Sequence, residues 1–271
     1  MSVIDILTYK SNVFSQNGED GIIEYLFQKI GSGSRVCCEF GAWDGIHFSN
    51  CRNLILHGWE SVMIEGDPER YKDLVGTYAS NPQVRCVDRY VDTGGNRLDR
   101  ILRDLDIREL DFLSIDIDGL DYQILEDLTI CPRVICIEVS AGHEPASQTL
   151  LPTEIARRNI GQPLGAFVRL AEAKGYDLVC YTGNAIFVRR EVGVRHSLVT
   201  YSPEAAYRNF LDHLTASERE WLYLVNRGQV DPYYRFGNVC LERKSLGISA
   251  ARAAALSARV LPRRLLSKIK R

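Results

Sequence analysis

Several things are missing from these 271 residues. The eight cysteines, Cys37, Cys38, Cys51, Cys86, Cys131, Cys136, Cys180 and Cys240, include no CxxC pair, which argues against a zinc ribbon or a thioredoxin-like centre. Several sit in apolar runs such as VCCEF and VICIEV, where they read as small buried hydrophobes. No apolar run approaches the ~20 residues that span a bilayer. The opening MSVIDILTYK lacks the basic stretch and apolar run of a signal peptide, so a reducing cytoplasm is the expected home. An excess of one charge is also lacking. The formal net charge is −2, and nothing in it calls for nucleic acid as a partner. There is no internal repeat at solenoid or propeller spacing.

What remains is an ordinary globular mix, with 45% apolar and 25% charged residues. The length allows one sizeable core with decoration, or two small domains. Short β-rich runs lie at 35–40, 61–65, 84–87, 112–116 and 134–139. Helical patterns separate them at about 50–57, 68–78, 96–105 and 121–128. Continuous apolar strands alternating with helices predict a parallel sheet covered on both faces. Another helix is expected over 165–174. It precedes YDLVCY (176–181), the turn Thr182-Gly183-Asn184 and AIFVRR (185–190), which together predict a hairpin. The fold class is therefore α/β, a doubly wound seven-stranded sheet, mostly parallel with a terminal antiparallel hairpin strand. A helix over 20–29, with a polar cap and carboxylates in its first turn, precedes the first strand. The expected organisation is an N-terminal helical lid (1–33), a core (34–192), an accessory region (193–249) and a basic tail (250–271).

The first strand runs into Glu39-Phe40-Gly41-Ala42-Trp43-Asp44-Gly45. A glycine turn after a strand lets a ligand approach the backbone. A dinucleotide site would want GxGxxG beneath a pyrophosphate. Here only two glycines appear, flanked by Glu39 and Asp44. Carboxylates suit the sulfonium and ammonium of S-adenosylmethionine and repel a pyrophosphate. Glu65, at the tip of the second strand, is placed to accept from ribose hydroxyls, with capping of the next helix by Glu65 and Asp67 as the structural alternative. Asp88, after the third strand, would face the adenine amino group or simply occupy a surface loop.

The order SQNGEDGII, EFGAWDG followed by FSN, IEGDP, SIDIDGLDYQIL and ICIEV resembles FkbM-type class I methyltransferases over about Phe14 to Arg190. The resemblance implies an S-adenosylmethionine-dependent O-methyltransferase acting on a sugar hydroxyl. It also implies that Gln16 and Asn17, before the first helix, close over the methionine end of the donor. The family's DxEG motif stands here as Asp116-Ile117-Asp118-Gly119, an aspartate for the glutamate.

At the strand ends Asp116, Asp118, Glu138 and His143 would converge on one crevice. Asp116, Asp118 and Glu138 are oxygen ligands suited to Mg²⁺ or Mn²⁺, and Asp116 also suits the donor's ammonium. His143 would take the hydroxyl proton, with His47 as the rival base. Alternatively Asp118 and Gly119 form only a turn, with Asp121 as a helix cap. Gln148, Arg157, Arg158, Tyr233, Tyr234 and Arg235 suit a carbohydrate or phosphate, or simply a mixed surface.

The tail carries Arg252, Arg259, Arg263, Arg264, Lys268, Lys270 and Arg271 among apolar residues. It fits an anionic membrane surface, a protein partner or a solvated end. The expected partners are thus a carbohydrate or glycoconjugate acceptor, peripheral membrane and a second copy of the chain. Two other functions remain open: an NAD(P)-dependent oxidoreductase or epimerase, and a non-catalytic binding module of methyltransferase fold.

Overall fold

The structure is a computed structural model that describes residues 5–117, 119–140, 143–152 and 161–214. Two compact units divide the chain, Met1–Tyr207 and Arg208–Arg271. Only 208–214 of the second is described. The expectations for Arg157, Arg158, Tyr233, Tyr234, Arg235, Cys240 and the basic tail fall outside the described residues.

A 3-10 turn, Ile6–Tyr9, leads into α1 (Glu19–Ile30). Then come β1 (Val36–Phe40), α2 (Arg52–Leu56), β2 (Glu60–Glu65), α3 (Pro68–Tyr78), β3 (Val84–Asp88), α4 (Leu98–Asp104), β4 (Phe112–Ile115), α5 (Asp121–Asp127) and β5 (Val134–Glu138). They are followed by α6 (Leu164–Ala173), β6 (Tyr176–Tyr181), β7 (Asn184–Arg189), α7 (Arg190–Arg195) and α8 (Pro203–Asp212). The seven strands form one sheet in the order β3-β2-β1-β4-β5-β7-β6. β1 to β5 are parallel, and β7 is antiparallel to both β5 and β6. The predicted hairpin is present, and its second strand inserts beside β5.

β1 and β4 are buried along their whole length, which is why they read as unbroken apolar runs. One face of the sheet, with Cys37, Met63, Phe112, Val134 and Ile186, packs against Ile22, Ile23 and Leu26 of α1, Leu54 and Ile55 of α2, and Leu74 of α3. Cys37, Cys38, Cys51, Cys136 and Cys180 are buried free thiols, as their apolar neighbours suggest. Among the described residues no helix is long and apolar enough to cross a membrane.

Candidate active site

The sheet order reverses between β1 and β4. In open α/β sheets the crevice beyond such a switch point, at the carboxyl ends of the strands, receives the ligand. The residues that follow β1 and β4 therefore line the candidate site.

Glu39 is the next-to-last residue of an otherwise apolar strand and is only 4% exposed. Its carboxylate accepts from Ser49 Oγ, from the Asn50 N–H at 2.8 Å and from the Cys51 N–H at 3.4 Å. It thus caps the entry to α2 and folds the loop 41–51 back over β1. Burial pushes the Glu39 pKa up, and the nearby Asp20 carboxylate adds to this against the opposing hydrogen bonds. In register beside Glu39 lies Ser114 of β4, whose Oγ accepts from Asn50 Nδ2 at 3.0 Å. Glu39 was expected to meet the donor, and the structure engages its oxygens with the protein's own loop.

Gly41 turns at φ +73°. A Cβ there would stand 2.1 Å from the Asp116 carbonyl oxygen. Glycine is thus demanded by the crossing of the β1 and β4 tips, a backbone approach within the protein rather than to a ligand. Trp43 and Phe48 also have positive φ, at 48° and 61°, an uncommon conformation for bulky residues. Trp43 N–H donates to Glu65 at 2.8 Å, and Arg70 lies over the Trp43 ring.

Asp44 accepts from the Ile46 and His47 N–H groups at 3.0 and 2.9 Å, and its other oxygen meets His47 Nδ1. Burial raises the Asp44 pKa, but the hydrogen bonds from His47 and Ile46 outweigh it, so the net shift is downward.

Glu65 ends β2 and is buried. One oxygen accepts from Trp43 N–H and the other from Asp67 N–H at 2.8 Å. Each carboxylate oxygen can take a second donor. Helix capping falls to Asp67, which accepts from Glu69 and Arg70 N–H at 3.0 Å. Asp88 is paired in register with Glu65 and is exposed at the β3 tip. Nearby lies Tyr90, which sequence reasoning passed over. Its ring covers Gly66, where a Cβ would meet it at 2.4 Å.

The segment before α1 is bound into the core by two acidic residues. Asp20, 2% exposed, accepts from the N–H groups of Val13, Phe14 and Ser15 at 2.8, 2.6 and 2.7 Å. Glu19, fully buried, accepts from Asn17 N–H at 2.7 Å, Thr182 Oγ1 at 2.7 Å and Asn184 Nδ2 at 3.2 Å. The polar cap of α1 comes from Ser15, whose Oγ accepts from the Asp20 N–H at 3.0 Å, and not from the N-cap residue itself. That N-cap is Gly18 at φ +96°, because the chain reverses there against Lys10. Gln16 is exposed, and its carbonyl accepts from Asn12 Nδ2. Asn17 lies against Gly183 in the β6–β7 turn.

After β4, Asp116 is half-buried. Asp121 does not cap α5. Its carboxylate turns back to accept from Ile117 and Gly119 N–H at 3.0 and 2.9 Å, closing the turn. Glu138 ends β5 opposite Asn184, and His143 is half-buried beyond it. Asp118 lies outside the described residues. Among those described, no three His, Cys, Asp or Glu side chains come together as a metal cage, and the expected Asp116–Asp118–Glu138 set falls partly outside them.

The donor set around β1 is thus rich in acceptors. Glu19, Asp20, Glu39 and Glu65 are all buried, and the hydrogen bonds described above come to them from neutral N–H and O–H groups. Asp20 Oδ1 and Asn50 Oδ1 are buried with no partner among the described residues. Such a set fits a ligand that brings donors and positive charge, and S-adenosylmethionine brings both.

The parallel sheet, with its crevice beyond β1 and β4, is an open doubly wound α/β fold that receives a ligand at its strand ends. Residues 90–178 match the methyltransferase FkbM domain, which supports a methyltransferase dependent on S-adenosylmethionine. That match begins after β3, so the β1 and β2 turns are recognised by their residues alone. No curated protein matches the chain. Similar solved structures include a candidate caffeoyl-CoA O-methyltransferase from Staphylococcus aureus, with 14% identity, TM-score 0.45, and coverage of 68% of this chain and 87% of that one. The CMeT domain of the citrinin polyketide synthase shares 10% identity at TM-score 0.42, covering 63% of this chain and 51% of that one. The N-terminal domain of EvdMO1, crystallised with SAH and D-fucose, shares 12% identity at TM-score 0.41, covering 64% and 82%. At these values the likenesses say nothing about the acceptor.

Proposed function

We propose that the protein methylates a hydroxyl group of a sugar or glycoconjugate. The observation that carries the donor side is Glu65, buried at the tip of β2 with one backbone N–H on each oxygen, beside a β1 turn that lacks the glycine cradle of a pyrophosphate site. When bound, the donor supplies an activated methyl group on a sulfonium. The chain's residues need only bind, orient and accept a proton. Glu65 would take the ribose, and Asp88 and Tyr90 flank the adenine side. Asp116 would orient the acceptor hydroxyl, and His143 would take its proton.

The sugar reading is supported by the motif order SQNGEDGII through ICIEV and by these polar groups beyond β4 and β5. Two titrations followed by calorimetry test the donor. S-adenosylhomocysteine should bind, NAD⁺ should not, and Glu65→Ala should weaken the first roughly tenfold or more. Binding of NAD⁺ alone would favour the oxidoreductase. Turnover on a panel of monosaccharides and nucleotide sugars tests the acceptor. There His143→Gln should lower the rate roughly 100-fold.

We also propose that the basic tail contacts anionic membrane. Protein lacking residues 250–271 should stop floating with anionic vesicles, and equal flotation of both proteins removes the idea.

A further inference from the structure

Resting on the donor reading above, we infer that Tyr90 is the stacking platform for the donor's base, and that the base is held by its face rather than read along its edge. Gly66 follows Glu65 at the carboxyl tip of β2, so a group lying on Gly66 borders the strand-end crevice. The Tyr90 ring lies there. A Cβ on Gly66 would stand 2.4, 2.5 and 2.7 Å from Tyr90 Cδ1, Cγ and Cε1, three neighbouring ring atoms. The backbone of Gly66 is outside the left-handed region, so no turn demands glycine at this position. The ring seated on it is what excludes a side chain.

The seat holds the ring without burying it. Tyr90 is 65% exposed, so its contact with Gly66 leaves most of the side chain open to a ligand. Its backbone is fixed on both sides. Before it, the Arg89 N–H donates to the Glu65 carbonyl at 3.2 Å and carries the β2–β3 pairing past Asp88. After it, Val91 is buried, and Asp92 closes the next turn by accepting from the Gly94 and Asn96 N–H groups at 2.8 and 2.9 Å. A flat ring held in place beside the carboxylate proposed for the ribose suits a purine, because base–aromatic stacking buries both faces at once.

Two neighbours compete for this role. Trp43, whose N–H bonds Glu65, has Arg70 over its ring at 5.3 Å. Asp88 is level with Glu65 and would accept from the adenine amino group, but it is exposed at the β3 tip, where water competes for the same bond. Stacking asks only for a π-face, which every base has. Affinity for the nucleoside half should therefore depend on the Tyr90 ring and tolerate a change at the purine 6-position.

The test is calorimetry on the full chain with S-adenosylhomocysteine and S-inosylhomocysteine, which carries a carbonyl in place of the amino group. Wild type should bind the two within about tenfold of each other. Tyr90→Ala should weaken both by roughly tenfold or more, and Tyr90→Phe, which keeps the ring, should match wild type within about threefold. Gly66→Ala keeps the ring in the chain but fills its seat, and should weaken both ligands as Tyr90→Ala does. Undiminished binding by Tyr90→Ala or by Gly66→Ala would overturn the proposal. So would an equal loss in Tyr90→Phe, or stronger discrimination against the inosine compound by wild type. A wild-type protein that binds neither ligand would sink the donor reading and this inference with it, a result visible before any variant is made.

Discussion

Two carboxylates within one short stretch of the molecule carry opposite net shifts, because burial raises both and hydrogen bonds outweigh it only at Asp44. Glu39 is deeply buried, and its pKa is raised by desolvation. The unfolded chain ionises near pH 4.3, the folded one higher, so the native state binds more protons across that interval. Stability contributed at Glu39 should therefore fall as pH rises from about 4.3 through the raised folded value. Glu39→Gln should flatten that limb in urea melts run from pH 4 to 7. Asp44 has the other sign. Its pKa is lowered, so its contribution is present above about 3.9 and lost as pH falls through the folded value. Asp44→Asn should be less stable than wild type at pH 7, with the gap closing in acid. Gly41 tests sterics alone. With 2.1 Å between a Cβ and the Asp116 carbonyl at positive φ, Gly41→Ala should cost about 2–4 kcal/mol by urea denaturation.

Among elements, the segment before α1 departs furthest from a simple connection. A helix with acidic residues in its first turn is an ordinary electrostatic pattern, because carboxylates favour the helix N-terminus. Here Glu19 and Asp20 do more. Asp20 gathers three successive backbone N–H groups of residues 13–15, and Glu19 ties the helix start to the β6–β7 turn more than 160 residues away. Asp20→Ala should raise amide hydrogen exchange at Val13, Phe14 and Ser15 by roughly tenfold or more, while the amides of β1 and β4 keep their protection. The pattern SQNGED marked a helix start and, through the resemblance, a donor contact by Gln16 and Asn17, but nothing in consecutive letters says that two neighbouring carboxylates face different distant partners.

At the scale of the whole chain, strand order creates the site. β1 and β4 lie side by side although more than 70 residues separate them, and the crossing of their tips explains both Gly41 and the turn closed by Asp121. Strands, helices and hairpin were legible because buried parallel strands are uniformly apolar and the turns carry glycine and asparagine. The acidic tip residues Glu65 and Asp88 were legible as well, and β2 and β3 bring them level. Ser114 and Asn50 were not, because a serine in an apolar run gains meaning only beside Glu39. Tyr90 was missed for the same reason, since its contact with Gly66 crosses from one strand end to the next.

The amino-acid order alone determined the class of fold and the kind of ligand it suits, because periodicity and the chemistry of a few turn residues are local properties of a chain. Which carboxylates brace the protein and which keep a free face for a ligand was decided only by folding. Hydrogen-bond partners come from segments far apart in sequence, and a carboxylate's remaining capacity is known once those partners are in place.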